Sequence, residues 1–276
     1  MRTPRLARPL TRLAAVILLG CSGDPPPQAE TPPESAPPPP APQRPLGGPG
    51  GELQVQEPAR PDPAQATRGI DVSVHSGAVD WTRVAGQGVH FAFVKATEGV
   101  DLADGAFQDH WPAVKEAGLI RGAYHFYVTE DDPQEQARFF IANVVLEPGD
   151  LAPVVDVEVL GHGTQPGLAD RLRTFIGIVE EHYGVRPIIY TSPKFWDQHL
   201  DDTFGGYPLW IAEYGVEAPT VPAGWETWTL WQWMGDADVK GVEKGADLSR
   251  AHPELADAHL EALVVGRALT RSRPLM

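Results

Sequence analysis

Residues 152–158 read Ala152-Pro153-Val154-Val155-Asp156-Val157-Glu158. An apolar run rich in valine gives way to two carboxylates separated by one residue. β-Branched side chains favour the pleated backbone. A continuous apolar run, rather than an alternating one, marks a strand covered on both faces, as in parallel sheets. On such a strand residues two apart project to the same face, with Cα atoms roughly 6.6 Å apart at about 3.3 Å rise per residue. Asp156 and Glu158 are therefore expected to leave the core side by side at the end of a buried strand.

Working outward, similar β-rich runs occur at Gly69–Ser73, His90–Ala96, Ile120–Tyr127, Arg186–Thr191, Pro208–Tyr214 and Thr227–Trp233, with Pro153–Val159 in their midst. Helical stretches lie between several of them. Ala137, Phe140, Ile141, Val144 and Val145 follow i, i+3, i+4, i+7, i+8 spacing, and Leu172, Phe175, Ile176 and Val179 form a second such stripe. Strand and helix in alternation imply right-handed βαβ units and a mainly parallel sheet. After Thr191 the helices shorten and the last strands follow one another without long crossovers. An irregular TIM-like (β/α) barrel with an incomplete helical ring fits this α/β region better than a full eightfold repeat, which needs about 250 residues. An open doubly wound sheet is the structural alternative.

In a barrel of this kind reactive groups belong at the C-terminal ends of the strands. Polar residues recur there: Asp71, then Lys95 and Glu98, Tyr124 and His125, Asp156 and Glu158, Tyr190, Glu213, and Gln232. Seven strands ending this way point to a shared polar cleft. An Asp-x-Glu pair alone is more often a solvated face or a structural ion pair, but its position after a buried strand reverses that preference. Two partly buried carboxylates cannot both ionise easily, so one should have a raised pKa. That divides them into a proton donor and a charged partner, the pairing that glycosidic cleavage uses.

Six tryptophans, Trp196, Trp210, Trp225, Trp228, Trp231 and Trp233, fall within 38 residues, with Tyr190, Tyr207 and Tyr214 nearby. Some must be core; others suit a cleft in which sugar rings stack on aromatic planes. Other chemistries find no support: there is no Gly-x-Ser-x-Gly or Ser-x-x-Lys, no His-Glu-x-x-His, and no phosphate-binding glycine loop. His75, His90, His110, His125 and His162 are dispersed without metal-ligand spacing. No cofactor and no metal are expected.

The N-terminal quarter is of another kind. Arg2, Arg5, Arg8 and Arg12 precede the apolar run Leu13–Leu19, which reads as a signal peptide over residues 1–20. The run is too short for a bilayer span of about 20 residues. Cys21, the single cysteine, follows Leu18-Leu19-Gly20 in a pattern that resembles the lipobox of bacterial lipoproteins, so Cys21 is the expected lipidation site; an ordinary signal peptide with an incidental thiol is the alternative. From Ser22 to Ala66, 15 of 45 residues are proline and none is aromatic, which implies a disordered, partly polyproline tether over residues 21–67. Removing residues 1–20, with four arginines and no acid, takes the formal charge from −15 to −19. Such acidity argues against nucleic acid as a partner and leaves the lipid as the only membrane contact. At the other end, Leu255, Ala258, Leu260, Leu263 and Val264 have near-helical spacing, so residues 251–276 are expected to form a terminal helix and tail.

Eight blocks, in order, resemble the motifs of the family 25 glycoside hydrolases, the Chalaropsis-type lysozymes. They are Gly69-Ile70-Asp71-Val72-Ser73, Val94-Lys95-Ala96-Thr97-Glu98-Gly99, Gly122-Ala123-Tyr124-His125-Phe126, Pro153 to Glu158, Pro187-Ile188-Ile189-Tyr190-Thr191, Leu209-Trp210-Ile211-Ala212, Trp231-Gln232-Trp233 and Ala246-Asp247-Leu248-Ser249. The resemblance spans residues 68–250. It implies a barrel that hydrolyses the β-1,4 bond between N-acetylmuramic acid and N-acetylglucosamine, with peptidoglycan glycan strands as partner. It further implies that Glu158 is the general acid, that Asp156 assists the substrate's own 2-acetamido group, and that Asp71 and Asp247 complete the acidic set. Tyr124, Tyr190, Trp210, Glu98 and Gln232 are the expected sugar contacts. The resulting expectation is an exported, monomeric hydrolase in the bacterial cell envelope, on the periplasmic face of the outer membrane or the outer face of the plasma membrane.

Three positions depart from the family pattern. Ser76-Gly77 replaces Asn or Gln before glycine, Asp247-Leu248-Ser249 ends in serine rather than asparagine, and Trp233 replaces a tyrosine. All four acids remain, so altered substrate preference is expected rather than lost chemistry. A non-catalytic wall-binding module on the same scaffold, or a barrel hydrolase of another glycan, are the alternatives.

Overall fold

Phe91 and Phe93 can point into the middle of the molecule only because glycines face them. A methyl group on Gly69 would sit 2.0 Å from the Phe91 ring, and one on Gly122 would sit 2.4 Å from that of Phe93. Pairing a large with a small residue in this way fills the inside of a narrow barrel. In the computed structural model, which describes residues 67–161, 166–253 and 263–266, these residues belong to a closed sheet. Its strands are β1 (Arg68–Val72), β2 (Val89–Glu98), β3 (Leu102–Ala103), β4 (Ile120–Phe126), β5 (Val154–Asp156), β6 (Ile188–Thr191), β7 (Leu209–Ala212), β8 (Leu230–Ala237) and β9 (Ala246–Ala251). The hydrogen-bonded order is β1-β9-β8-β7-β6-β5-β4-β2-β3, and β1 also pairs with β2. Eight strands thus form the ring, with β3 an antiparallel flap on β2. Because β1 bonds to both β2 and β9, the open doubly wound alternative is excluded.

Seven ring strands run parallel, while β9 is antiparallel to both β8 and β1. Sequence reading found those seven and did not assign β9 as a strand. The reason is visible in Ala246-Asp247-Leu248-Ser249-Arg250-Ala251, where polar residues interrupt every apolar one and no buried-strand run arises.

Outside the ring, α1 (Trp81–Ala85), α2 (Phe107–Glu116), α3 (Pro133–Asn143), α4 (Leu168–Tyr183) and α5 (Pro193–His199) cover β1 to β6. Sequence signals place their ends: Asp132 caps α3 by accepting the N–H groups of Gln134 and Glu135, with Pro133 at the first turn. The stripe Leu172, Phe175, Ile176 and Val179 is buried as expected. The α3 stripe stops earlier than expected, because Val144 turns to extended geometry and leaves Val145 75% exposed.

Among the described residues no helix covers β7 and β8. Their outer face is packed instead by Leu209, Ile211, Trp228 and Trp231, with Val221, Trp225 and Trp233 against them. The buried indoles find backbone partners: Trp196 Nε1 donates to Asp201 O, Trp225 Nε1 to Tyr207 O and Trp231 Nε1 to Glu213 O. The tryptophan density is therefore the cover that replaces missing helices, and only Trp210 of the six points into the barrel. Of the two readings open to these tryptophans, packing holds for five of the six.

Below the cleft the barrel is sealed by residues from the far end of the chain. Leu263 is buried with Phe91, Val154, Ile188, Leu230 and Ala251, and Val264 bridges to Leu151. Ala152 N–H donates to Leu263 O and Val265 N–H to Asp150 O. These residues form turns and a bridge; the expected helix rests on positions 254–262, outside the described residues. The signal peptide, Cys21, the proline-rich segment and His162 also lie outside them. Leu263→Ala would open a cavity in the barrel floor, with an expected loss of about 2–4 kcal/mol. Chemical denaturation checks this; an unchanged midpoint would show that Leu263 seals nothing.

Candidate active site

The inward residues at the upper end of each strand meet above Phe93. Asp71 (β1), Lys95 (β2), Tyr124 (β4), Asp156 and Glu158 (end of β5), Tyr190 (β6), Trp210 (β7), Gln232 (β8) and Asp247 (β9) surround a cavity of about 180 Å³. Ser73, His75 and Phe126 complete its wall. β9 runs the other way, so its N-terminal half, carrying Asp247, reaches the same end. Asp156 and Glu158 share one face, as their two-residue spacing requires, while Val155 and Val157 pack outward under the helices.

Each wall element is fixed from behind. Trp210 stacks on Phe93 at 4.5 Å, meets Tyr190 edge-on at 4.7 Å, and donates its Nε1–H to Ser249 Oγ at 3.0 Å. Gln232 Nε2 donates to Asp71 Oδ2 at 2.9 Å and to Asp247 Oδ2 at 3.3 Å. Gln232 Oε1 accepts from the hydroxyls of Tyr190, at 2.9 Å, and Tyr214. Asp247 Oδ1 accepts the backbone N–H of Asp236 at 2.7 Å. Asp236 holds φ at +52°, the one non-glycine residue with positive φ among the described residues, where β8 loses register with β9. A bulge beside a site commonly re-aims a backbone group in this way. Asp156 Oδ1, by contrast, is buried with no hydrogen-bond partner among the described residues.

Sharing the barrel mouth raises the pKa of all four acids. Burial is the largest cause at each. Repulsion adds to it: Asp247 and Glu158 act on Asp71, Glu158 on Asp156, and Asp247 on Glu158. Lys95 opposes the rise at both Asp156 and Glu158. Burial and the nearby acids also raise Tyr124 and Tyr190 well above the ordinary phenol range, so both keep their protons. The expected split, one raised acid beside one ordinary one, becomes a quartet of raised acids.

Lys95 continues the inward alternation of Phe91 and Phe93, and just past it, at Ala96, β2 slips against β4: Lys95 pairs with Tyr124 but Thr97 with His125. The slip reverses the in-out alternation. Thr97 consequently faces outward to His125 Nδ1 at 2.8 Å, while Glu98 reaches Lys95 Nζ at 2.7 Å. Glu98 thus holds Lys95 and is not part of the cavity wall, unlike the sugar contact expected of it.

Two other strand-end residues depart from expectation. His125 is wholly buried outside the barrel against Phe175, bonded to Thr97 and Gln136, and burial lowers its pKa to about 3. Glu213 accepts the N–H of Thr220 and does not line the cavity. Of the three family departures, Ser76 is a cap that accepts from Ser73 N–H, Ser249 holds Trp210, and Trp233 belongs to the outer tryptophan cover. Sequence reading missed Ser73, His75, Phe126 and Tyr214 as site residues; the first three sit inside or beside the quoted motif blocks, which was the available signal.

Asp71 opposes folding once the unfolded chain can ionise it. A raised carboxyl costs nothing below the ordinary carboxylate range, about pH 4, and the cost grows as pH rises above it. Asp71→Asn, which keeps an acceptor for Gln232, should therefore raise Tm at pH 7 and leave it unchanged at pH 3, with about 2–4 °C for each kcal/mol relieved. Calorimetry at the two pH values checks this, and equal shifts at both would refute the assignment.

Known proteins place the same architecture in context. The chain is 36% identical to YegX of Escherichia coli K12 over 193 residues, covering 68% of this chain and 70% of that one. It is 34% identical to Lysozyme M1 of Streptomyces globisporus over 203 residues, covering 69% of each. Its fold matches the crystal structure of the bacterial lysozyme from Streptomyces coelicolor with a TM-score of 0.69 and 30% identity, over 74% of this chain and 99% of that one. Residues 70–242, well over half the chain and carrying Asp71 through Gln232, match the model of the glycosyl hydrolases family 25. With the closed barrel and its acidic mouth in the same stretch, the chain belongs to the family 25 glycosyl hydrolases.

Proposed function

We propose that this glycoside hydrolase is a peptidoglycan muramidase, cleaving the β-1,4 bond between N-acetylmuramic acid and N-acetylglucosamine. The observation that carries the reading is the emergence of Asp156 and Glu158 from one face of β5 into an acid-lined cavity. Glu158 is the less buried of the two, and burial together with the charge of Asp247 holds its carboxyl above the ordinary range, against the pull of Lys95 and a hydrogen-bonding contact with Tyr190. It serves as the general acid, giving its proton to the glycosidic oxygen. Asp156 lies deeper, and its free Oδ1 suits the N–H of a 2-acetamido group. Accepting that N–H makes the acetamido oxygen a better nucleophile toward the anomeric carbon, the substrate-assisted exception to a protein carboxylate nucleophile. Water then opens the cyclic intermediate as Glu158 takes a proton back. Tyr124, Tyr190 and Trp210 shape the sugar site, and Asp71 and Asp247 hold its electrostatic frame.

A non-catalytic wall-binding module is disfavoured because all four acids are retained and converge. The sequence supports export through residues 1–20, lipidation at Cys21, a tether to residue 67 and a monomeric barrel over residues 68–250 held at the cell envelope.

Glu158→Gln should lower release of reducing ends from purified peptidoglycan by about 10²-fold or more while the protein stays folded. Mass spectrometry of the digest should give fragments ending in reducing N-acetylmuramic acid; near-normal turnover by the variant would remove Glu158 from this role. Cys21→Ser should move the protein from membrane to soluble fractions with its turnover unchanged. Retention in the membrane fraction would refute the anchor.

A further inference from the structure

Gln232 was expected among the sugar contacts, yet its hydrogen-bonding capacity is fully used within the protein. A side-chain amide offers two N–H donors and a carbonyl oxygen with two lone pairs. Both donors go to Asp71 and Asp247, and both lone pairs go to Tyr190 and Tyr214. The residue is 1% exposed, so it has no further face to offer. Binding a sugar hydroxyl would first require one of these bonds to break, and leaving a buried partner unsatisfied costs about 1–3 kcal/mol.

We infer that Gln232 is a positioning residue: it fixes Asp71 and Asp247 at one spacing and commits the protons of Tyr190 and Tyr214 to its own carbonyl. The second effect sets the polarity of the cleft wall. A phenol that has already donated its proton presents only lone pairs to any other neighbour. Tyr190 stands beside Asp156 and within hydrogen-bonding reach of Glu158, whose pKa that contact lowers. The proton that Gln232 takes is one that Tyr190 then does not give to Glu158, and its oxygen faces the reacting region as an acceptor. Electron-rich oxygen there is of the right sign for the positive charge that develops at the anomeric carbon in an oxocarbenium-like transition state. The inference rests on the muramidase reading for the identity of that carbon, but not for the saturation of the amide.

The test is the kinetics of the full chain on a soluble peptidoglycan tetrasaccharide, with Gln232→Met and Tyr214→Phe compared with the parent protein. A positioning role predicts that Gln232→Met lowers kcat by about 10²-fold with KM within about twofold, since binding contacts are untouched while the transition state loses its frame. Tyr214→Phe, at a half-exposed position where folding is not at stake, should lower kcat about fivefold at constant KM. A rise in KM of about tenfold with kcat preserved in either variant would make Gln232 a substrate ligand and overturn the inference. An unchanged Tyr214→Phe variant would also overturn it.

A second readout does not depend on turnover. In the ¹⁵N-labelled parent protein the Gln232 side-chain amide signal, identified by its loss in Gln232→Met or failing that by its shift in Tyr214→Phe, should keep its position as the tetrasaccharide is added. Displacement of that signal on binding would refute the saturated amide. If the parent protein binds the tetrasaccharide without cutting it, the muramidase reading fails, and this signal still decides the role of Gln232.

Discussion

A carboxylate taken out of water loses solvation that only hydrogen bonds or opposite charge can replace. At this barrel mouth four carboxyls are gathered with one lysine among them, and much of the surrounding architecture can be read as compensation. Asp247 receives a backbone N–H from a residue in left-handed geometry, and shares the Gln232 amide with Asp71. Lys95, on the same inward face of β2 as Phe93, answers Asp156 and Glu158. What stays uncompensated is informative: Asp156 Oδ1 has no internal donor. All four acids face the cavity, but only Asp71 and Asp247 are tied to Gln232.

The frame tolerates this because the layers beneath it are dense. Phe91 and Phe93 fill the space that Gly69 and Gly122 leave, and Trp210 rests on Phe93 with its indole nitrogen anchored to Ser249. Close-packed interiors resist small displacements, so the floor of the cleft is set by apolar residues that never meet a substrate. Where helices are lacking, tryptophans with satisfied N–H groups take over their covering role.

Much of this was legible in the residues. The valine run ahead of Asp156 marked a doubly covered strand, and the two-residue spacing put both acids on one face. The parallel core and the thinning helical ring followed from alternation and spacing. What failed to show had local causes. β9 carries its cleft acid on a strand without an apolar run. The slip at Ala96 is invisible to period-two reasoning: it turns Thr97 outward to His125 and brings Glu98 to Lys95. The tryptophans were ambiguous because sugar stacking and sheet covering demand the same side chain, and only the missing outer helices decide between them. Gln232 read as one more polar strand end, since pattern alone cannot count how many of its hydrogen bonds are already spent.

The pairing of β1 with β9 has a consequence in time as well as in space. The first and last strands of the ring are neighbours, separated by some 180 residues of chain that must emerge before they can meet. Asp71 and Asp247 lie opposite each other at that seam. The acidic mouth is thus complete only once β9 has been made and has joined β1, and no partial barrel made from the earlier strands carries the complete acid set.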